Sequence, residues 1–216
     1  MFEVTDTLPW YRARQRLYTA AVRCRSILAA ERTAVNFLGR MSGVATLTRR
    51  FAAAVEGTRA AIYDTRKTMP LLRPFDRTAV KTGGGHNHRT GLYDGVLFKD
   101  NHLRALAGTE FRSLYEAAKR RSPHHVPIGI EVKTVEEAAR AMESPFDYIL
   151  LDNFQVENVR KVVETRKRLI SNVALEVSGN IRLENVRAYA ECGIERISVG
   201  ALTHSAPATD ISLNLI

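Results

Sequence analysis

Residues 148–180, YILLDNFQVENVRKVVETRKRLISNVALEVSGN, carry the pattern on which the fold turns. The stretch opens with a short apolar run, 148–151, and closes on a second, 174–177. Each run is followed at once by polar residues, Asp152-Asn153 and Ser178-Gly179-Asn180. Between them Val156, Val159 and Val163 recur at helical spacing while Arg160, Lys161, Arg166 and Lys167 fall elsewhere, which predicts an amphipathic helix over 156–169. Strand, helix and strand in this order read as a parallel βαβ unit.

The same alternation extends outward from that unit. Further strands are expected at 60–63, 79–82, 95–98, 128–132 and 196–199, and another helix at 183–192. The runs end in Asp64-Thr65-Arg66-Lys67, Lys99-Asp100-Asn101-His102, Glu131-Val132-Lys133 and Gly200-Ala201-Leu202-Thr203-His204. Polar residues gathered at the carboxyl ends of apolar strands mark the active-site face of an α/β barrel or open sheet. Upstream, Glu31-Arg32-Thr33-Ala34-Val35-Asn36-Phe37-Leu38 continues a long helical region in which Val35, Leu38 and Ser42 share a face, punctuated by Gly43 and Gly57. The expected organisation is an Arg-rich helical arm over residues 1–30 and a (β/α)-barrel domain over 31–216.

Composition narrows the function classes. Of the 216 residues 45% are hydrophobic and 25% charged, which suits a folded domain. The formal net charge of +9 favours an anionic partner, whether nucleic acid, anionic membrane or phosphorylated small molecule. The basic residues lie beside carboxylates and glycines rather than in an aromatic stripe, which argues against nucleic acid. No apolar run approaches bilayer-spanning length and the first residues lack a signal-peptide core, so no membrane partner and a cytoplasmic location are expected. Cys24 and Cys192 stand far apart and read as small structural fillers.

Three groups of residues carry chemistry. Arg66, Lys67, His88, Arg89 and Lys99 follow strands or the Gly83-Gly84-Gly85 triplet, and their convergence would make a cationic pocket that needs an anionic ligand. Glu131 and Asp152 would share that face, to hold ribose hydroxyls, ligate Mg²⁺, stabilise a developing cation or pair with the neighbouring Lys and Arg. Ser178-Gly179-Asn180 and Ser198-Val199-Gly200-Ala201 follow the last two strands, where barrels bind phosphate through backbone N–H groups. The glycine triplet does not form G-x-G-x-x-G, which argues against a dinucleotide fold, and Arg89 beside His86-x-His88 argues against a transition metal there.

Taken together and in order, these segments resemble the quinolinate phosphoribosyltransferase family, the carboxylating nicotinate-nucleotide pyrophosphorylases. The resemblance rests on Glu31–Asn36 with Ser42–Thr46, Asp64–Lys67, Gly83–Arg89, Lys99–His102, Leu151–Phe154 and Ser198–His204. It implies a TIM-like (β/α) barrel, incomplete or open, that transfers phosphoribosyl from phosphoribosyl pyrophosphate (PRPP) to quinolinate with loss of CO₂. Mg²⁺ as cofactor and a homodimer are implied as well.

The resemblance also assigns roles. Arg66, His88 and Arg89 would grip the quinolinate carboxylates, with Thr65 beside them, and Lys67 and Lys99 would meet carboxylate or pyrophosphate oxygens. Lys67, Lys99, Glu131 and Asp152 form the catalytic set, and Glu131 and Asp152 would meet the ribose and Mg²⁺, the ion through water. Ser178, Gly179, Asn180, Gly200, Ala201 and His204 would cradle the 5-phosphate. Two departures stand out. Family members carry an α/β sandwich domain ahead of the Glu31-Arg32-Thr33 helix, which covers the neighbouring subunit's barrel and lends it an arginine. Here residues 1–30 stand in its place, so the chain reads as N-terminally truncated, with Arg12, Arg14 or Arg16 as the expected substitute. The family's Ser-Gly-Gly is Ser178-Gly179-Asn180, a turn that asparagine tolerates through its ease at positive φ. A binder of PRPP-like anions with little turnover, and a paralogue acting on another heterocyclic acid, are the alternative readings.

Overall fold

The computed structural model describes residues 2–4, 15–18 and 24–214. Strands β3 (Ala61–Tyr63), β4 (Val96–Phe98), β5 (Ile128–Val132), β6 (Tyr148–Asp152), β7 (Ala174–Ser178) and β8 (Arg196–Ser198) form one parallel sheet in the order β3-β8-β7-β6-β5-β4. Helices α5 (Val135–Met142), α6 (Val156–Arg168) and α7 (Leu183–Ala190) connect the strands from β5 to β8. Each connection returns to a neighbouring parallel strand, as the βαβ pattern requires. β5 is buried along its whole length, the mark of a parallel strand covered on both faces.

The sheet curls. Thr65, Arg66 and Lys67 follow β3 and Lys99 follows β4, at opposite ends of the strand order, yet they line one cavity. On its far edge β3 gains a single parallel bridge, Tyr63 to His86, and Arg89 Nη1 donates to the Gly95 carbonyl at 3.0 Å just before β4. The result is an incomplete barrel with a seam between His86 and β4. Outside it the core packs sheet against helices, with Ile130, Ile149, Leu151, Leu175 and Ile197 among its fully buried side chains. Burial of each such side chain contributes about 1.5–3 kcal/mol.

The barrel interior is different. Residues of inward parity include Leu97, Tyr148 and Leu150, which form a small apolar cluster with Ala174. Glu131, Glu176 and Ser198 share that parity and are also buried. Interiors of such barrels are commonly filled by branched apolar side chains. This one is substantially polar. Gly129 gives the Tyr148 ring its place, since a Cβ there would lie 2.3 Å from the ring.

Helix α1 (Cys24–Ala54) closes one side. Its buried line is Val35, Gly39, Gly43, Val44, Thr48 and Phe51; Leu38 is exposed, so the apolar face lies one position away from the expected Val35-Leu38-Ser42. The two glycines let the chain at 207–209 lie directly on the helix. A Cβ on Gly43 would stand 1.8 Å from the Pro207 carbonyl oxygen, and Thr209 N donates to the Gly39 carbonyl at 3.0 Å. Gly43→Val is therefore expected to cost about 3 kcal/mol, read as a lower midpoint in denaturant.

Two expectations are corrected. The expected strand at 79–82 is the end of helix α2 (Arg73–Thr82), which has Pro74 in its first turn and buries Asp76, Ala79 and Val80 on one face. A short apolar run does not by itself separate strand from helix. Secondly, of the helical arm expected over 1–30, residues 24–30 are helical but 2–4 and 15–18 are extended. β1 (Phe2–Val4) pairs antiparallel with β2 (Gln15–Tyr18) and with β9 (Ile211–Leu213), and α1 begins only at Cys24. These strands are set by partners remote in sequence, which local helix propensity does not register. The substitute arginine expected among Arg12, Arg14 and Arg16 falls outside what is described: Arg12 and Arg14 lie outside the described residues, and of Arg16 only the backbone, in β2, is described.

Candidate active site

The turn after β3 is built on a buried acid. Asp64 is fully buried; its Oδ1 accepts the His88 N–H at 2.7 Å and its Oδ2 the Asn87 side-chain N–H at 2.6 Å, with Arg77 Nη1 at 3.6 Å. Burial raises the Asp64 carboxyl above its ordinary value, against the lowering pull of the His88 N–H, Arg77 and Asn87. Arg77 also donates to the His88 carbonyl at 2.7 Å. The loop carrying His88 and Arg89 is thus tied to the end of β3. The neighbouring turn is held through its backbone, by Arg73 to the Arg66 carbonyl at 3.2 Å and Thr203 Oγ1 to the Lys67 carbonyl at 2.9 Å. That leaves the side chains of Arg66 and Lys67 for the cavity.

His88 and Arg89 are oriented in turn. His88 Nδ1 accepts the Arg89 N–H at 2.7 Å, so Nε2 is the ring nitrogen left to face the interior. Arg89 donates one N–H to Gly95, and burial lowers its guanidinium from the ordinary value, which still leaves it charged. Opposite, Lys99 Nζ meets Glu131 Oε2 at 2.5 Å. Asp152 accepts from Ser178 Oγ at 3.3 Å and from the Asn153 side chain at 3.0 Å.

A cavity of about 410 Å³ brings most of the expected residues together: Thr65, Arg66, Lys67, His88, Arg89, Lys99, Asp152 and Ser178 all line it. Glu131 does not line it directly and reaches it through Lys99. Gly179, Asn180, Gly200, Ala201 and His204 lie outside this lining, on the loops beside it. Gly179 (φ 92°) and Asn180 (φ 52°) are both left-handed, so the turn keeps its shape with asparagine. Asn180 donates to the Asn153 Oδ1 at 3.1 Å, beside Asp152. Gly200 precedes the short helix α8 (Ala201–His204), and a Cβ on it would press His204 at 3.1 Å and approach Lys67 at 3.4 Å. Close approach of the backbone is what an oxyanion needs there.

Sequence reading missed Glu176, Leu97 and Leu150, which line the cavity deeper in the barrel, and it named Ser198 only within the expected phosphate segment 198–201. Strand parity was the available signal: Glu176 stands two residues before Ser178, and Ser198 two before Gly200. Arg77 was also missed, and nothing local marks it, because its role depends on the path of the chain at 87–88.

A cavity walled by five cationic or imidazole side chains, with Asp152 and Glu176 in its lining, Glu131 behind Lys99 and glycine turns after the last two strands, defines a domain that handles a multiply anionic small ligand. The chain belongs to the quinolinate phosphoribosyl transferase family, whose C-terminal domain matches residues 44–214. It is 42% identical to the nicotinate-nucleotide pyrophosphorylase [carboxylating] of Mycobacterium leprae over 93% of this chain and 70% of that protein. It is 39% identical to the probable enzyme of that name from Bacillus subtilis, over 88% of this chain and 64% of that one. The crystal structure of NadC from Streptococcus pyogenes superposes with a TM-score of 0.81 at 31% identity, covering all of this chain and 75% of that one.

Proposed function

We propose that the chain transfers the phosphoribosyl group of PRPP to quinolinate with decarboxylation, giving nicotinate mononucleotide, pyrophosphate and CO₂ for NAD biosynthesis. The observation that carries this reading is the convergence of Arg66, Lys67, His88, Arg89 and Lys99 on one cavity that also meets Asp152. Quinolinate has two carboxylates, and PRPP has a phosphate and a pyrophosphate. Few other substrate pairs need so many cations in so small a space.

In this reading Arg66, His88 and Arg89 hold the quinolinate carboxylates, with Thr65 beside them. Lys67 and Lys99 stabilise pyrophosphate as it leaves, and Asp152 with Glu131 faces the ribose. The turns at 178–180 and 200–201, with His204, take the 5-phosphate. Catalysis is then chiefly positioning and electrostatic stabilisation. Among the described residues no three His, Cys, Asp or Glu side chains gather as a metal cage. Asp152 in the lining, with Glu131 behind Lys99, fits an Mg²⁺ that arrives on PRPP and is met through water, since Mg²⁺ favours a few carboxylates plus substrate phosphates. A homodimer and a cytoplasmic location belong to the same reading. Among the described residues no helix is long and apolar enough to cross a membrane.

The test is direct incubation with quinolinate, PRPP and Mg²⁺, following nicotinate mononucleotide and CO₂. The expected result is both products in equal amounts. PRPP binding by calorimetry without product would favour a binder over an enzyme, and product from a different heterocyclic acid alone would assign a paralogue.

A further inference from the structure

Two buried side-chain polar atoms among the described residues make no hydrogen bond: His88 Nε2 and Glu176 Oε2. They are neighbours. Glu176 Oε1 lies 3.2 Å from His88 Nε2 and accepts the Ser198 hydroxyl at 2.6 Å, while Oε2 lies 4.0 Å from the Arg196 guanidinium and accepts no hydrogen bond. The side chain is 0% exposed and lines the same cavity as the cations above it. A buried polar group without a partner is uncommon enough to call for a cause.

A carboxylate on the floor of a pocket for a dianion opposes binding of that dianion. We propose that Glu176 is a further catalytic residue of the reaction, a fixed negative charge that destabilises bound quinolinate and is relieved as the ring loses negative charge. This rests on the function proposed above. The ring nitrogen's lone pair forms the bond to the anomeric carbon, and the carbon–oxygen bond to pyrophosphate breaks with its electron pair leaving on pyrophosphate. The ring system passes from two net negative charges to one. The bond to the 2-carboxylate then breaks, neutral CO₂ departs, and the electron pair left on the ring carbon takes a proton from water. The net charge is then zero. An interaction that is worse in the ground state than in the transition state raises kcat, whereas an ordinary binding contact lowers KM.

Glu176→Gln keeps the shape and an acceptor for Ser198 but removes the charge. It is expected to lower kcat roughly 100-fold while KM for quinolinate falls rather than rises. Binding alone gives a second readout in the unaltered protein. 1-Methylpyridinium-2,3-dicarboxylate, with a cationic ring, is expected to bind at least ~10-fold more tightly than benzene-1,2-dicarboxylate, a preference that Glu176→Gln abolishes. Equal affinity of the two probes, or a preference that survives in the variant, would overturn the proposal even in an active enzyme. So would a variant in which kcat holds or KM rises. Absence of turnover in the unaltered protein would instead overturn the functional reading itself.

Discussion

Arg89→Ala is expected to lower kcat/KM for quinolinate by roughly 30- to 5,000-fold, the equivalent of about 2–5 kcal/mol. Arg89 is half-buried, its stem packs against Gly95, and one N–H is spent on the Gly95 carbonyl. The guanidinium is therefore aimed before substrate arrives, and its remaining donors suit a carboxylate bidentately. Truncation leaves that carboxylate without its partner in a confined cavity. Arg89→Lys restores the charge but not the fork, so it should recover only part of the loss. Steady-state kinetics with quinolinate varied and PRPP saturating makes the measurement. An unchanged kcat/KM in Arg89→Ala would remove this residue from the substrate site.

The largest expected effect on stability comes from Asp76→Ala. Asp76 is fully buried in the first turn of α2 and accepts two hydrogen bonds from Arg40 of α1, at 3.0 and 2.9 Å. Arg40 also donates to the Thr203 carbonyl on α8. The pair thus ties three helices together behind the cavity. Removing one partner of a buried pair costs about 3–5 kcal/mol, since the other charge is left uncompensated. For a chain of this size the melting temperature should fall by roughly 10 °C. Arg40→Met combined with Asp76→Leu should recover much of the loss, because an apolar pair of similar volume needs no counter-charge. A loss no smaller in the double variant than in Asp76→Ala would show that packing, rather than charge, carries the contact.

The parallel sheet was legible because its strands are written as short apolar runs, and 128–132, 148–151 and 174–177 all find strands there. Ala79-Val80 looked the same and is helical, because Pro74 suits the first turn of a helix and Asp76, Ala79 and Val80 bury one face of it. The strands at 2–4 and 15–18 owe their existence to each other and to Ile211–Leu213, an association that no local window contains. At the site, residues at strand ends were found because polarity follows an apolar run. Glu176 was passed over because it sits inside such a run, where only inward parity distinguishes it.

The contact of Gly39 and Gly43 with residues 207–209 also has a meaning in time. Synthesis makes α1 before any barrel strand, yet this part of its surface is covered only by chain made more than 160 positions later. Until that segment arrives, the helix holds an open backbone groove and can lean only on α2 and its other neighbours. Contacts so distant along the chain slow folding, because a long loop must close before they contribute anything. The seating of 207–209 is thus expected late on the folding route, and a bulky side chain at Gly43 should chiefly accelerate unfolding rather than retard folding.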